Sequence, residues 1–158
     1  MQRHPEPELD ELYRELILDH YRRPRNRNIP ADAKVRAEGY NPVCGDEVDM
    51  GIVFDDDTVA DIGLVSHGCS ISQASGSMMS ELVKGKPIDE IRRLTDEFKE
   101  MLTNPEAGAP EDLGDLEALQ GVGKFAVRVK CATLPWHTLA DGIAQHERGD
   151  GTVTHEEA

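Results

Sequence analysis

Three cysteines and the charged residues near them are the side chains in this sequence best suited to chemistry. Cys44 lies in Pro42-Val43-Cys44-Gly45-Asp46, a turn leading into an apolar alternation. Asp46, two residues on, points the same way as Cys44 in extended backbone. Cys69 follows Ser66-His67-Gly68 and directly precedes a helical stripe, and Cys131 precedes Thr133-Leu134-Pro135, which reads as a helix start. Thiols at helix N-termini are stabilised as thiolates by the exposed N–H groups and the helix dipole. The thiolate is the form that binds a soft metal and acts as a nucleophile. Three thiolates and one carboxylate make four donors, enough for a tetrahedral Zn²⁺ site. That set carries more negative charge than the ion neutralises, so a nearby cation is expected, with Arg128, Lys130 or His67 able to supply it. The spacings leave the matter open, because the chain has no C-x-x-C pair and buried cysteines also serve as small core residues.

Composition narrows the classes. The 158-residue chain is the length of about one domain. With 38% apolar residues and only three Phe, three Tyr and one Trp, it builds a thin core. No apolar run approaches the roughly 20 residues that span a bilayer, and the start, Met1-Gln2-Arg3-His4-Pro5, shows no apolar signal segment. The net charge of −14 repels phosphate, which disfavours generic nucleic-acid binding outside a basic patch. The basic run Arg22-Arg23-Pro24-Arg25-Asn26-Arg27 reads as a solvated helix end that complements the helix dipole. An odd number of cysteines without an export signal indicates reduced thiols in the cytoplasm. Of the six histidines, His4 and His155 are expected in solvated tails, His20 and His146 at helix ends, and His137 as a packing residue beside Trp136. His67 alone stands near a cysteine, and Met78-Met79 reads as core because it completes a helical stripe.

The elements that must position the cysteines follow from periodicity. Apolar residues at Leu9, Leu12, Tyr13, Leu16, Ile17 and Tyr21 predict a helix that Pro24 stops. Val35 to Tyr40 predicts a short strand, and Val48, Met50, Ile52 and Phe54 share one face of a second. Asp55-Asp56-Asp57 reads as a turn into a returning strand, Val59 to Val65. Helices are expected from Ile71 to Leu82, closed by Gly85, from Ile88 to Leu102, and briefly around Leu113, Leu116 and Leu119. Phe125 to Lys130 fits a strand or an extended loop, followed by a helix from Thr133-Leu134-Pro135 through Ile143. Strands first and helices afterwards predict an α+β fold: a small antiparallel sheet of about three strands packed against several helices. Residues 1–8 are expected as a flexible N-terminal tail, 9–146 as a single domain, and 147–158 as a flexible C-terminal tail.

Four segments resemble the iron–sulfur assembly scaffold superfamily, the IscU/NifU N-terminal-like proteins. They are Leu12-Tyr13-Arg14-Glu15 continuing to Asn26, Asn41-Pro42-Val43-Cys44-Gly45-Asp46, Gly68-Cys69-Ser70-Ile71-Ser72-Gln73-Ala74-Ser75, and Lys130-Cys131-Ala132-Thr133-Leu134. The resemblance spans about residues 9–146 and implies the same fold and a site made by Cys44, Asp46, Cys69 and Cys131. Within the superfamily the chain resembles the SufU branch more than IscU. Lys130 stands where IscU-like scaffolds carry a histidine, and Lys124 to Val129 replaces their chaperone-docking Leu-Pro-Pro-Val-Lys motif. The long separation of Cys69 from Cys131 matches that branch's insertion, assigned to Thr103–Leu119, and Arg128 stands where the branch has an arginine important for activity.

The SufU resemblance implies a zinc-dependent sulfurtransferase that serves a SUF-type, PLP-dependent cysteine desulfurase and downstream iron–sulfur assembly proteins, with neither nucleic acid nor membrane as partner. In the implied scheme a histidine of the desulfurase replaces Cys44 at the metal. Cys44 then accepts persulfide sulfur, while Asp46, Cys69 and Cys131 stay as ligands. The alternative is a scaffold that builds a [2Fe–2S] cluster on the same ligands. A zinc-stabilised interaction module without transfer chemistry is a third reading.

Overall fold

Val48, Met50, Ile52, Ile62 and Leu64 are all buried on the inner face of a sheet, as their alternation demands. The structure is a computed structural model that describes residues 7–157 apart from 105 and 107. The strands are β1 (Val35–Asn41), β2 (Asp46–Asp55), β3 (Thr58–His67) and β4 (Gly151–Glu156). The helices are α1 (Pro7–Arg22), α2 (Ser70–Val83), α3 (Ile88–Thr103) and α4 (Ala126–Arg148), with a 3-10 segment at Glu111–Lys124. The sheet order is β3-β2-β1-β4. β1 pairs antiparallel with β2 from Val35↔Ile52 to Asn41↔Asp46, and β2 with β3 from Glu47↔His67 to Asp55↔Thr58. The β2–β3 turn is made by Asp56-Asp57, where Asp56 takes a left-handed φ of 55°; aspartate tolerates that conformation better than most residues.

The α+β class is as the sequence indicates, with four strands rather than about three. The fourth comes from the expected C-terminal tail. Gly151 to Glu156 runs parallel to β1, from Val35↔Gly151 to Tyr40↔Glu156. Its Thr, Val and His residues read as a polar tail because an edge strand is held by backbone bonds and alternates between half-buried and exposed positions. At the other end, residues 1–6 of the expected N-terminal tail lie outside the described residues, and Pro7 already belongs to α1.

α4 starts earlier than its local signals suggest. Only Phe125 of the Phe125–Lys130 stretch is extended, since α4 begins at Ala126 and carries Pro135 in its interior. Proline in a helix removes one backbone bond and crowds the carbonyl four residues back, here that of Cys131. Tertiary burial sustains the helix across this point: Cys131, Ala132, Leu134 and Trp136 are fully buried, and Trp136 stacks on Phe98 of α3 with ring centroids 5.0 Å apart. The same burial sequesters Met78 and Met79, and Ile88, Ile91, Leu94, Phe98 and Leu102 form the inner face of α3. The region around Leu113–Leu119 is helical but 3-10 in type and kinked at Gly114 (φ 57°).

His20 stands in the last turn of α1, the helix end the sequence indicates, and is also a core residue. Only 1% exposed, it bonds Ser77 of α2 at 2.8 Å through Nδ1 and Asp115 at 3.3 Å through Nε2. The basic run after α1 folds back on the helix, with Arg25 on Asp19 at 2.6 Å and Arg23 on Asp19 at 2.7 Å.

Candidate metal centre

Cys44 is presented by the turn between β1 and β2. Buried Asn41 shapes that turn, its carbonyl accepting Gly45 N–H at 2.8 Å and its side-chain oxygen accepting Val43 N–H at 3.2 Å. Gly45 takes a φ of 75°, in the region glycine favours. Cys44 is half-buried, beside the exposed Val43. Asp46, the first residue of β2, is fully buried. Its Oδ1 accepts the backbone N–H of Cys69 at 2.9 Å, and its Oδ2 lies 3.9 Å from the Cys69 sulfur. Cys69 caps α2, its sulfur accepting Ser72 N–H at 3.5 Å.

Cys131 arrives from the second turn of α4, not from a helix start. Only Cys69 therefore has the helix N-terminus that the sequence suggested for two thiols. The Cys131 sulfur is buried, 3.4 Å from that of Cys44, and lies 3.7 Å from the Val127 carbonyl. Burial, reinforced by hydrogen bonds among Asp46, Cys44 and Cys69, pushes its thiol well above the ordinary range. A thiol so placed is inert unless a cation takes the place of its proton.

The ligand atoms of Cys44, Asp46 and Cys131 lie within 4.8 Å of one another, and Cys69 joins them through Asp46. Two thiolates on a tetrahedral zinc stand about 3.8 Å apart, given Zn–S bonds of about 2.3 Å. The sulfurs of Cys44 and Cys131 are within a few tenths of an ångström of that separation. The sulfurs of Cys44 and Cys131 and the buried Asp46 carboxylate fit zinc in chemistry and spacing, and the Cys69 sulfur, 3.9 Å from Asp46 Oδ2, stands beside them as a donor of the same soft type.

Of the three cations considered from the sequence, Arg128 is the one that engages the thiols. The charge of Cys69, then hydrogen bonding to Cys131 and Cys69, raises the guanidinium above its ordinary value. His67 is exposed near the end of β3. Lys130 is half-buried, and no contact ties it to the sulfurs among the described residues. Two features escaped the sequence reading. Gly68 (φ 131°) leaves no room for a side chain, because a Cβ there would run into Asp46. A cavity of about 610 Å³ opens beside Cys69 and Arg128, walled by Tyr13, Ile17, Ile71, Val122 and Phe125. Phe125, beside that cavity, is 61% exposed.

The family described as NifU-like N terminal domain matches residues 12–132, which takes in all four candidate ligands. The chain belongs to that family. It is 45% identical over 142 residues to the zinc-dependent sulfurtransferase SufU of Bacillus subtilis, covering 90% of this chain and 96% of that protein. It is 40% identical over 143 residues to the iron–sulfur cluster assembly scaffold protein IscU of Streptococcus pyogenes, covering 87% and 89%. Among solved structures, a nitrogen-fixing NifU-like protein (N-terminal) of Brucella abortus superposes with a TM-score of 0.80 at 27% identity, over 89% of this chain and 98% of that one. In this chain the three cysteines gather at one end of the sheet, where the β1–β2 turn, the start of α2 and the second turn of α4 converge. Among the described residues no helix is long and apolar enough to cross a membrane.

Proposed function

We propose that this chain is a zinc-dependent sulfurtransferase that takes persulfide sulfur from a SUF-type, PLP-dependent cysteine desulfurase and passes it into iron–sulfur cluster assembly. The reading is supported by the meeting of Cys44, Asp46 and Cys131 donor atoms within 4.8 Å, with Cys69 bound to the same carboxylate. The similarity to the B. subtilis sulfurtransferase gives that cluster its reaction class. Cys44, Asp46, Cys69 and Cys131 would hold the zinc, which when bound keeps thiolates deprotonated at neutral pH and shields them from oxidation.

The three thiols are not equivalent, and their differences support Cys44 as the acceptor. Cys131 is fully buried on a helix and Cys69 is fixed as a helix cap, whereas Cys44 rides a glycine-containing turn at the surface. Cys44 is the thiol a partner reaches with least rearrangement. Its thiolate attacks the outer sulfur of the partner's persulfide, and a new S–S bond forms at Cys44. The old S–S bond breaks, its electron pair leaves on the partner's cysteine, and the terminal sulfur stays on Cys44. Arg128, whose guanidinium is raised above its ordinary value by the charge of Cys69, holds positive charge where thiolate charge shifts during this exchange. The exposed Phe125 and the cavity beneath it offer the partner an apolar surface next to the site.

A second reading is a scaffold that assembles a [2Fe–2S] cluster as cargo on the same ligands, supported by the 40% identity to the S. pyogenes scaffold protein. One comparison separates the two. Adding the wild-type chain to its cognate desulfurase is expected to raise sulfide-forming turnover, and Cys44→Ala is expected to return it to the rate of the desulfurase alone. A Cys44→Ala chain that stimulates as well as wild type removes the acceptor role. An anaerobic preparation carrying a stable visible-absorbing cluster that transfers to an apo-protein establishes the scaffold reading instead.

A further inference from the structure

Away from the cysteines, His137 of α4, His155 of β4 and Glu157 just after β4 come together, with one donor atom from each within 4.8 Å of the others. We propose that these three side chains form a second, independent site for a divalent cation of the zinc, cobalt and nickel class. One carboxylate oxygen, Oε1 of Glu157, sits 2.8 Å from Nδ1 of His137 and 2.9 Å from Nε2 of His155. Donors on a tetrahedral metal with bonds of about 2.0–2.1 Å stand about 3.3 Å apart, so a small opening of these contacts admits the ion.

The surroundings are those of a ligand set. His155 turns its other ring nitrogen to Asp141 Oδ2 at 3.0 Å, and Thr133 Oγ1 donates to Glu157 Oε2 at 3.1 Å. Metal-binding imidazoles characteristically give their second N–H to a carboxylate, and ligating carboxylates are themselves hydrogen-bonded. His155 faces carboxylate oxygens with both ring nitrogens, Asp141 at Nδ1 and Glu157 at Nε2, so positive charge is called for between Nε2 and Glu157, supplied by a ring proton or by a divalent ion in that proton's place. Glu157 is 7% exposed, so water contributes little there. Two imidazoles and a carboxylate favour zinc, cobalt and nickel over magnesium and calcium. The His137 and His155 side chains are 26% and 22% exposed, which leaves solvent access and a coordination position for water. Bound there, the ion pins β4, the parallel edge strand, to α4.

Cobalt(II) titration of the metal-free full-length chain tests the site. Wild type is expected to bind two equivalents, one showing near-ultraviolet thiolate-to-cobalt charge transfer and one lacking it. Glu157→Gln, which keeps the shape of the side chain, and His155→Ala are each expected to lose only the equivalent without the sulfur band. Asp141→Asn is expected to weaken that equivalent by about 10-fold. The combined Cys44→Ser, Cys69→Ser and Cys131→Ser chain is expected to retain it while losing the sulfur band. A wild-type chain that binds only the thiolate-liganded equivalent overturns the proposal. So does a sulfur-free equivalent that survives unchanged in Glu157→Gln and His155→Ala.

Discussion

Arg128 stands one helical turn before Cys131 on α4, and its guanidinium is drawn to the sulfurs of Cys69 and Cys131. Arg128 is exposed, and interactions of exposed charges contribute about 0.2–1 kcal/mol each. If Arg128 acts on the transferring charge, Arg128→Ala lowers desulfurase stimulation by about 2- to 10-fold while zinc content stays near one per cysteine site. Metal analysis beside the activity assay checks this, and zinc loss would make Arg128 a structural neighbour. Gly68 makes a different demand. At φ 131° a side chain is strained, and it meets Asp46 as well. Gly68→Ala is expected to cost about 1–3 kcal/mol of stability and to lower zinc occupancy, read by urea unfolding and metal analysis. The residue types of the site were legible in the sequence because Cys44, Asp46, Cys69 and Cys131 stand in recognisable segments. The role of Gly68 was not, because it depends on how closely the β3–α2 junction approaches the start of β2.

At the scale of elements, α4 decides most of what the sequence hid. Local signals around Thr133-Leu134-Pro135 favour a helix start, and the alternation of Phe125, Val127 and Val129 resembles a strand. Burial of Cys131 through Trp136 against the sheet and α3 outweighs both, and the helix runs through the proline. The far end of α4 is clamped by His146, whose ring stacks on Phe54 of β2 with centroids 3.9 Å apart. Its Nδ1 faces Asp150 Oδ1 at 3.1 Å and its Nε2 faces the Asp56 carbonyl at 2.9 Å. Both ring nitrogens meet acceptors, which only the imidazolium satisfies fully. Burial pulls its pKa down, but the bonds to Asp150 and Asp56 outweigh burial and raise it above the ordinary 6.5. A raised folded-state pKa contributes stability that is fully present below about 6.5 and is lost as pH rises through the folded value. The urea midpoint of wild type is therefore expected to exceed that of His146→Gln most clearly near pH 5.5–6, with the gap narrowing towards pH 8–9. A gap that is constant or widens with pH would show that the clamp works through packing on Phe54 alone.

The whole molecule is strongly acidic, at −14, yet the rim of its cysteine site carries cations, with Arg14 and Arg128 both lining the cavity beside Cys69. Charge at this scale was readable from composition alone, whereas the local reversal of sign required the folded arrangement of α1 and α4. A desulfurase that approaches the site meets a repulsive or attractive far field according to its own charge, and a short-range apolar contact at Phe125. Far-field attraction is screened over a Debye length of about 8 Å at physiological ionic strength, while apolar contact is not. Electrostatics of this kind acts mainly on the rate of encounter, so salt changes how much of the chain is needed and not what the docked complex does. If the acidic surface steers docking to a basic partner, raising salt from about 50 to 500 mM increases the concentration of this chain required for half-maximal stimulation. The maximal rate then stays constant. Phe125→Ala is expected to do the opposite: it weakens stimulation equally at low and high salt. A half-saturation point indifferent to salt in both chains would place recognition on the apolar rim and leave the acidic surface without a role in docking.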